Sequence, residues 1–455
     1  MITVSLFYEG GKQENMAFVA LIGKNSIEYV NILLNIWNKE DCAVLIDWQM
    51  PNNKVNGILD YLNIKDCYVD SSIHYEGVVC QNLHVYKSNQ KGTLVIPESI
   101  TNKFKANYSE KDAVILFSSG TTGLSKGVIL SFKAINNNAD SVTKYMKINK
   151  GDRLYIAKTL SHSSTLVGEL LVALKTKAKI YIGPTIISPK SIANNIDEND
   201  ITIICLNPTL LNLLTKEIEK SKYVFDNLRC VYVSGEVLNN RLFINAQKAF
   251  QNKVYNVYGL TEAGPRVSAQ RIGENQGNNV GKVIDGVNIK ILDYKGNQVE
   301  LGKIGLIYVK SNSLFSRYID GTKCDKDAWL KTNDLGFFDK KNNLIVIGRS
   351  DEVIIVNSHN IYPSDIENKI NNISDIVECK VIKLDINRVI LCCAYCGQID
   401  ESALYRNLQN ELLPYELPQC FIKFDKLPRN TNQKIDVNLL IKMCREKYEK
   451  TNNLY

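Results

Sequence analysis

The sequence predicts an α/β protein with a large N-terminal domain of layered α/β subdomains, a β-rich subdomain, and a small, mobile α+β C-terminal domain. Short β-branched runs alternate with longer amphipathic stretches, which is the pattern of strands separated by helices. From about Val280 the pattern changes to short alternating strands with Gly-bearing turns. The 455 residues are 45% hydrophobic and 23% charged, a composition typical of globular proteins. Such a length accommodates about two to four domains.

The first part of the chain alternates strand and helix candidates. The strand candidates are short apolar runs at 18–22, 43–46, 113–117, 179–182, 201–205 and 230–233. The helix candidates have apolar residues at helical spacing and lie at 26–37, 131–146, 165–174 and 208–219. This alternation predicts a parallel sheet covered by helices.

The β-rich region is predicted from strands at 287–292 and 305–309. A domain boundary is expected after Gly348, which gives an N-terminal domain of residues 1–348 and a mobile C-terminal domain of residues 349–455. Just beyond it a helix is predicted at 364–373, with Ser364 as its N-cap and Glu367 completing a capping box.

Charge and composition exclude several classes of protein. The net charge is +7, and no run of five basic residues occurs, so we expect no nucleic-acid groove and at most a mild attraction for anions such as nucleotides. The apolar stretches are too short to span a bilayer, and the N-terminus lacks the apolar segment of a secretory signal. The 12 cysteines, including Cys393 and Cys396 of a predicted buried strand, are expected to be reduced thiols, which favours a cytoplasmic location.

The strongest local signal is a loop of small and hydroxyl residues at 118–127, between two apolar strands. Glycines allow the backbone to turn tightly, and successive N–H groups in such a loop can surround an anion. The spacing differs from that of a Walker loop. The predicted phosphate ligands are the backbone and side chains of Ser118, Ser119, Gly120, Thr121, Thr122, Gly123 and Lys126. These residues predict a polyphosphate site.

Segment 118–127 resembles the signature loop of the adenylate-forming superfamily, which contains acyl-CoA synthetases, adenylation domains of nonribosomal peptide synthetases, and luciferases. Ser125 stands where that family usually has Pro. This difference makes the loop less rigid but does not remove a phosphate ligand. Further motifs of the family follow in order along nearly the whole chain.

The segment 255–264 resembles the family's Asn-x-Tyr-Gly-x-Thr-Glu motif, in which Gly259 is the glycine. The resemblance implies that Asn256 contacts the adenine edge and that Tyr258 lies against the base. It places Thr261 near the α-phosphate as a catalytic residue. It makes Glu262 the Mg²⁺ ligand together with Thr122, which suits the preference of Mg²⁺ for oxygen ligands.

Three later motifs complete the resemblance. Asp334 is implied to bind both ribose hydroxyls, and Asn333 replaces a family Gly while tolerating a left-handed backbone. Arg349 is implied to touch ribose or phosphate, and Asp351 to be the hinge between the domains. Lys434 matches the closing catalytic lysine, although Gln433 stands where Gly is usual.

The resemblance also implies that two segments lie next to the carboxylic acid substrate. Gly235 and Glu236 resemble the end of a Gly-Gly-Glu segment that borders the adenine and the acyl pocket. His162 falls on a family His that acts as a gate between carboxylate and nucleotide. The residue nearest to the Asp of amino-acid-activating relatives is Thr165, and a neutral hydroxyl argues against an α-amino acid substrate.

The resemblance implies ATP, Mg²⁺ and a thiol, either coenzyme A or a phosphopantetheine arm. The leading hypothesis is a ligase that joins a small carboxylic acid to coenzyme A through an acyl-adenylate. An adenylation enzyme that loads an acyl or peptidyl carrier protein is the alternative, because Ile355 and Ser358 depart from the family pattern at the thiol donor. A non-catalytic nucleotide-binding paralogue is the third possibility.

Overall fold

The computed structural model describes residues 16–88, 92–117, 126–184, 188–275, 279–325, 327, 329–356, 359–386, 388–429 and 435–452. The predicted α/β class is confirmed in this part of the chain, which contains two large mixed sheets, a smaller antiparallel sheet, and a C-terminal α+β portion. None of its helices combines the length and the apolar character that crossing a membrane requires.

The first large sheet has a parallel centre. In spatial order, its strands among the described residues are Arg317–Tyr318, Gly127–Ser131, Asp112–Phe117, Cys42–Ile46, Phe18–Ile22, Asp66–Asp70 and Asn82–Tyr86. The last five of these run parallel. Every residue of Cys42–Ile46 is buried, as expected for a strand covered on both faces.

The second large sheet also has a parallel centre and antiparallel edges. Its described strands, in spatial order, are Lys282–Val283, Arg266–Ala269, Val254–Gly259, Cys230–Val233, Ile203–Leu206, Arg153–Ile156, Lys179–Ile182 and Leu94–Val95. The carboxyl ends of its parallel strands lie at one edge, which is where open α/β sheets bind ligands.

Helices cover these sheets. In the N-terminal part they are Ile27–Asn38, Asn52–Tyr61, Glu98–Thr101, Phe132–Met146, Ser163–Thr165, the π-helix Leu166–Leu171, Val172–Thr176, Pro189–Glu198, Pro208–Ser221 and Asn240–Ala249. The helix Phe132–Met146 begins where Ser131 accepts a hydrogen bond from the N–H of Ala134, and it ends at Lys147 in the left-handed conformation. The helix predicted at 165–174 is wrong as a single α-helix, because the π-helical turns interrupt it.

The remaining elements follow the predicted β-rich region. An antiparallel sheet is formed by Val287–Leu292, Gly305–Ser311, Leu330–Phe338 and Leu344–Arg349. Two 3₁₀ turns lie at Thr261–Ala263 and Ser350–Glu352. The C-terminal portion contains the hairpin Ile354–Val356 and His359–Ile361, the helices Pro363–Asn371, Glu401–Gln409 and Val437–Asn452, and the sheet strands Ile376–Ile386, Arg388–Gly397 and Cys420–Lys423.

The predicted capping box at Ser364 is wrong. The helix Pro363–Asn371 begins with Pro363 in its first turn, and its N-cap is Tyr362, which makes no side-chain capping bond. Proline starts the helix because its fixed backbone angle suits that position. Glu367 instead accepts a hydrogen bond from the N–H of Val381 at 2.9 Å, so it ties the helix to the C-terminal sheet.

Candidate active site

The predicted ribose side of the site joins two sheets. The Tyr258 hydroxyl donates a hydrogen bond of 2.5 Å to Asp334 Oδ2, and both side chains are largely buried. The N–H of Asp334 is held by the Thr332 hydroxyl at 3.0 Å, and Asn333 has a φ of +62°. The expectation that Asn333 tolerates a left-handed turn is therefore confirmed, and the turn holds Asp334 in place.

The environment of Asp334 changes its acidity. Burial raises the pKa of Asp334 to about 6, although the hydrogen bond from Tyr258 and the charge of Arg349 act in the opposite direction. The nearest Asp334 and Arg349 atoms of this pair are 4.0 Å apart. A carboxylate with two oxygens can accept from two neighbouring hydroxyls, which is the geometry of a ribose.

Arg349 connects this group to the start of the C-terminal portion. Its Nε and Nη2 donate to the two oxygens of Asp351 at 3.0 and 2.9 Å, a bidentate pair. The hydrogen bonds from Arg349 lower the pKa of Asp351. The structure thus brings together four predicted residues, namely Tyr258, Asp334, Arg349 and Asp351.

A second group of residues lies at the predicted metal ligand. The Tyr318 hydroxyl donates to Glu262 Oε1 at 3.1 Å, and the Lys126 ammonium lies 5.7 Å from the centre of the Tyr318 ring. The N–H of Ile319 donates to the carbonyl of Gly127 at 2.9 Å, which fixes this end of the predicted phosphate loop. Tyr318 therefore lies next to both Lys126 and Glu262.

The turn Thr261–Ala263 and the end of the strand before it are tightly packed. The Thr261 hydroxyl lies 3.0 Å from the Ser163 hydroxyl, in the same turn that follows His162. A Cβ atom at Gly259 would lie 2.1 Å from the carbonyl oxygen of Pro265, so only glycine fits there. Thr261 is consequently held at the carboxyl end of strand Val254–Gly259.

The predicted gate residue has an acidic neighbour. His162 Nε2 lies 4.0 Å from Asp47 Oδ2, and the Ser161 hydroxyl lies 3.5 Å from the same oxygen. Two-fifths of the His162 side chain is exposed. This position lets His162 meet a molecule that approaches from solvent.

The predicted adenine side lies on the neighbouring strands. Asn256 is buried, and its N–H donates to Gln270 Oε1 at 2.8 Å. Asn256 pairs with Val233, which precedes Gly235 by two residues, and Gly235 has a φ of +112°. Gly235 and the exposed Glu236 thus follow the strand next to Asn256.

Seven predicted site residues lie outside the described residues. They are Ser118, Ser119, Gly120, Thr121, Thr122, Gly123 and Lys434. Their roles as phosphate ligands, as metal ligand in the case of Thr122, and as catalytic lysine stay predictions.

Sequence reasoning missed several residues that shape the site. Tyr318, Asp47 and Ser163 each contact a predicted residue across a long stretch of sequence. No local motif marks them. Glu169 and Arg266 were missed as well, and only the structure shows that both charged side chains are buried.

Comparisons with known proteins show the family of this chain. The family model described as AMP-binding enzyme matches residues 8–319. The chain is 29% identical to a 2-succinylbenzoate–CoA ligase of Bacillus pumilus over 387 residues, which are 77% of this chain and 75% of that protein. It is 25% identical to a 2-succinylbenzoate–CoA ligase of Lactococcus lactis, over 93% of this chain and 90% of that protein.

A solved structure shares the fold. The ATP-bound crystal structure of MatB from Rhodopseudomonas palustris matches with a TM-score of 0.85 and 22% identity, over 96% of this chain and 90% of that chain. The match spans both large sheets and the C-terminal portion.

The family match and the relatives identify an AMP-forming ligase of the adenylate-forming superfamily. The chain belongs to the AMP-binding enzyme family. The predicted superfamily, fold class and enzyme class are confirmed.

Proposed function

We propose that the protein activates a carboxylic acid with ATP as an acyl-adenylate and then transfers the acyl group to the thiol of coenzyme A. The observation that carries this proposal is the position of Tyr258 and Glu262, four residues apart on one segment. Tyr258 contacts Asp334 and Glu262 contacts Tyr318. Tyr258 is the proposed nucleoside contact, and Glu262 is the proposed cation ligand. Four residues span at most about 14 Å, so one ATP molecule can reach both side chains.

The nucleoside is held by groups that are already oriented. Asp334, in its ionised form, accepts from the two ribose hydroxyls, and Tyr258 and Thr332 keep its carboxylate in position. Asn256 and the segment of Gly235 and Glu236 contact the adenine. Such preorganisation is favourable because these groups do not reorganise during the reaction.

The phosphates are held at the other end of the segment. Lys126 and the predicted loop residues 118–123 bind the leaving pyrophosphate. The residues at Glu262 fit a magnesium ion, because Mg²⁺ is usually held by one or two carboxylates together with substrate phosphates. Within the described part of the chain no group of three His, Cys, Asp or Glu side chains could hold a metal alone. Bound Mg²⁺ would neutralise phosphate charge at Glu262 and Thr122.

The first half-reaction joins two anions. A carboxylate oxygen of the acid bonds to the α-phosphorus of ATP, and the bond to pyrophosphate breaks. The positive charge of Lys434 would offset the repulsion between the two anions, and Thr261 would donate to the α-phosphate. Lysine suits this position because its ammonium is a compact, mobile charge.

The second half-reaction needs access for the thiol. The sulfur attacks the acyl carbon, its proton passes to solvent, and AMP leaves. We propose that residues 349–455 reorient about Asp351 between the two steps and that His162 moves away from the thiol path. The exposed Arg349–Asp351 pair supports this role, because an ion pair in water is readily broken.

The thiol acceptor is tested directly by mass spectrometry. The protein is incubated with ATP and an acid panel, and either coenzyme A or a phosphopantetheinylated carrier protein. Acyl-CoA without acylated carrier supports the proposal. Acylated carrier without acyl-CoA establishes the carrier-loading alternative. We place the reaction in the cytoplasm, where ATP and coenzyme A are available and the twelve cysteines, all free thiols in the structure, stay reduced.

A further inference from the structure

Two charged side chains, Glu169 and Arg266, are buried beside the proposed reaction centre, and the Lys158 side chain, which is 10% exposed, lies with them. Lys158 Nζ lies 3.0 Å from Glu169 Oε1, and Glu169 is completely buried. Arg266 is only 2% exposed, and its charge acts on Glu169. Two cations and one carboxylate leave this buried cluster with an excess positive charge even when Glu169 is ionised. Buried charges are costly unless they are paired, so the excess calls for an anionic partner.

Arg266 retains unused hydrogen-bonding capacity. Its Nη2 makes one long contact of 3.4 Å to the carbonyl of Ser164, and its Nε has no hydrogen-bond partner among the described residues. Its backbone is held on both sides by Asn138, at 2.9 and 3.0 Å. The guanidinium is thus anchored at its base while its own donors are left for another group.

Space for the guanidinium is provided by a glycine. A Cβ atom at Gly168 would lie 3.0 Å from Nη2 and 3.1 Å from Nε of Arg266. Gly168 belongs to the π-helix Leu166–Leu171, a type of helix that is common at functional sites. The same helix carries Glu169, so it brings both the carboxylate and the glycine to Arg266.

The cluster lies on the acid side of the site. Ser163 contacts Thr261, the residue proposed at the α-phosphate, and its neighbour Ser164 contacts Arg266. Since adjacent α-carbons are about 3.8 Å apart, Arg266 and Thr261 contact neighbouring positions of one turn. The contact between Arg266 and the Ser164 carbonyl is a long one, at 3.4 Å, and an incoming carboxylate would replace it.

We propose that the acid substrate carries a second carboxylate, which binds the guanidinium of Arg266. The substrate is then a dicarboxylic acid, activated at one end and recognised at the other. A guanidinium is the group best suited to bind a carboxylate with two parallel hydrogen bonds. Glu169 and Lys158 hold the other side of the cluster, so that its single excess charge is neutralised by one carboxylate. This inference rests on the proposed acid activation.

The test compares diacids with their half-esters, which differ by one charge. Aliphatic and aromatic diacids of several lengths and their monomethyl esters are tested for pyrophosphate release with ATP. We expect kcat/KM to be roughly 10- to 100-fold higher for at least one diacid than for its half-ester, because the half-ester leaves buried donors unpaired. Equal values for all pairs that react would overturn the proposal.

A variant without the charge tests whether Arg266 causes the preference for diacids over half-esters. Arg266→Gln should reduce the diacid preference roughly 10-fold or more, mainly through KM, and leave the affinity for adenosine unchanged. Arg266→Lys keeps the charge without the planar fork and should retain part of the preference, and it replaces Arg266→Gln if the latter fails to fold. An unchanged preference in folded variants would overturn the assignment.

A binding measurement separates this inference from the proposed activity. Thermal unfolding is followed with a non-hydrolysable ATP analogue and either a diacid or its half-ester. A rise in Tm with the diacid but not with its half-ester supports the dicarboxylate site, even if no acid releases pyrophosphate. In that case the proposed reaction fails while the site stands. This rise in Tm should be absent in Arg266→Gln. Equal shifts for diacid and half-ester would overturn the site whatever the activity.

Discussion

Tyr258 and Asp334 belong to different sheets and meet through one hydrogen bond of 2.5 Å. Tyr258 is the last residue but one of a strand of the second large sheet, whereas Asp334 lies in the antiparallel sheet and pairs with Arg349. This bond therefore joins the two elements that are proposed to hold adenine and ribose. Through Arg349, Asp334 also lies next to the Arg349–Asp351 pair at the start of the C-terminal portion.

The acidity of Asp334 predicts a pH dependence of nucleoside binding. Its pKa is raised to about 6, and only the ionised carboxylate accepts from both ribose hydroxyls. Affinity should therefore be constant above about pH 7 and fall by up to about tenfold per pH unit below the pKa. Calorimetry with adenosine measures this without interference from phosphate titration. A flat profile between about pH 5 and 8 would contradict the role of Asp334.

Removal of the Tyr258 hydroxyl should shift that profile. The hydrogen bond from Tyr258 lowers the pKa of Asp334, so Tyr258→Phe should move the midpoint of adenosine binding to higher pH. Tyr61→Phe, at an exposed position away from the site, is the matched control and should leave the midpoint unchanged. A downward shift in Tyr258→Phe is the opposite of what the geometry requires.

Glu262 is expected to govern the magnesium requirement. Glu262→Gln removes the charge and should raise the Mg²⁺ concentration for half-maximal pyrophosphate exchange by roughly tenfold or more, with little effect on adenosine affinity. Tyr318→Phe should have a smaller effect, corresponding to one hydrogen bond of about 1 kcal/mol. Titration of Mg²⁺ at a fixed ATP concentration measures the Mg²⁺ requirement of both variants. Equal Mg²⁺ requirements in wild type and Glu262→Gln would exclude this metal site.

Lys434 is expected to act in only one half-reaction. Lys434→Ala should suppress acyl-adenylate formation by about 100-fold or more, since it removes a charge placed between two anions, and should spare thioester formation from supplied acyl-adenylate. Rapid-quench measurement of each half-reaction tests this. Lys426→Ala changes an exposed lysine of the preceding segment and serves as control. Equal losses in both half-reactions would contradict the proposed role.

Arg241 connects the N-terminal part to the C-terminal portion. Its guanidinium donates to the carbonyls of Ile373 and Ile376, each at 2.9 Å, and to that of Ser374 at 3.2 Å. Arg241→Ala should weaken this contact by about 1–3 kcal/mol and accelerate hydrogen exchange in residues 371–376.

The control for Arg241 lies on the same helix. Lys248→Ala removes an exposed charge from Asn240–Ala249 and should leave exchange at 371–376 unchanged. If Arg241→Ala also changes the ratio of the two half-reaction rates, the contact contributes to domain reorientation. Unchanged exchange in Arg241→Ala would show that the contact does not hold the two parts together.

Local patterns predicted much of the fold because strands and helices are encoded by nearby residues. The strands at 18–22, 179–182 and 230–233 have the predicted bounds. The failures have physical reasons. Pro363 rather than Ser364 begins its helix, and the packing of Arg266 against Gly168 accompanies π-helical turns where a regular helix was predicted.

The site was predictable only where one segment supplies several ligands. Tyr258, Thr261 and Glu262 share a motif, and Asp334 and Arg349 are recognised by their own motifs. Tyr318 and Arg266 act through contacts to residues 56 and 102 positions away, which no local pattern encodes. Their roles depend on how the sheets pack.

The most direct test of acid activation is acid-dependent exchange of labelled pyrophosphate into ATP. We expect exchange with at least one carboxylic acid of a broad panel, no exchange without acid, and loss of exchange in Lys434→Ala. Binding of ATP without exchange for any acid in the panel would contradict acid activation as the function of this protein.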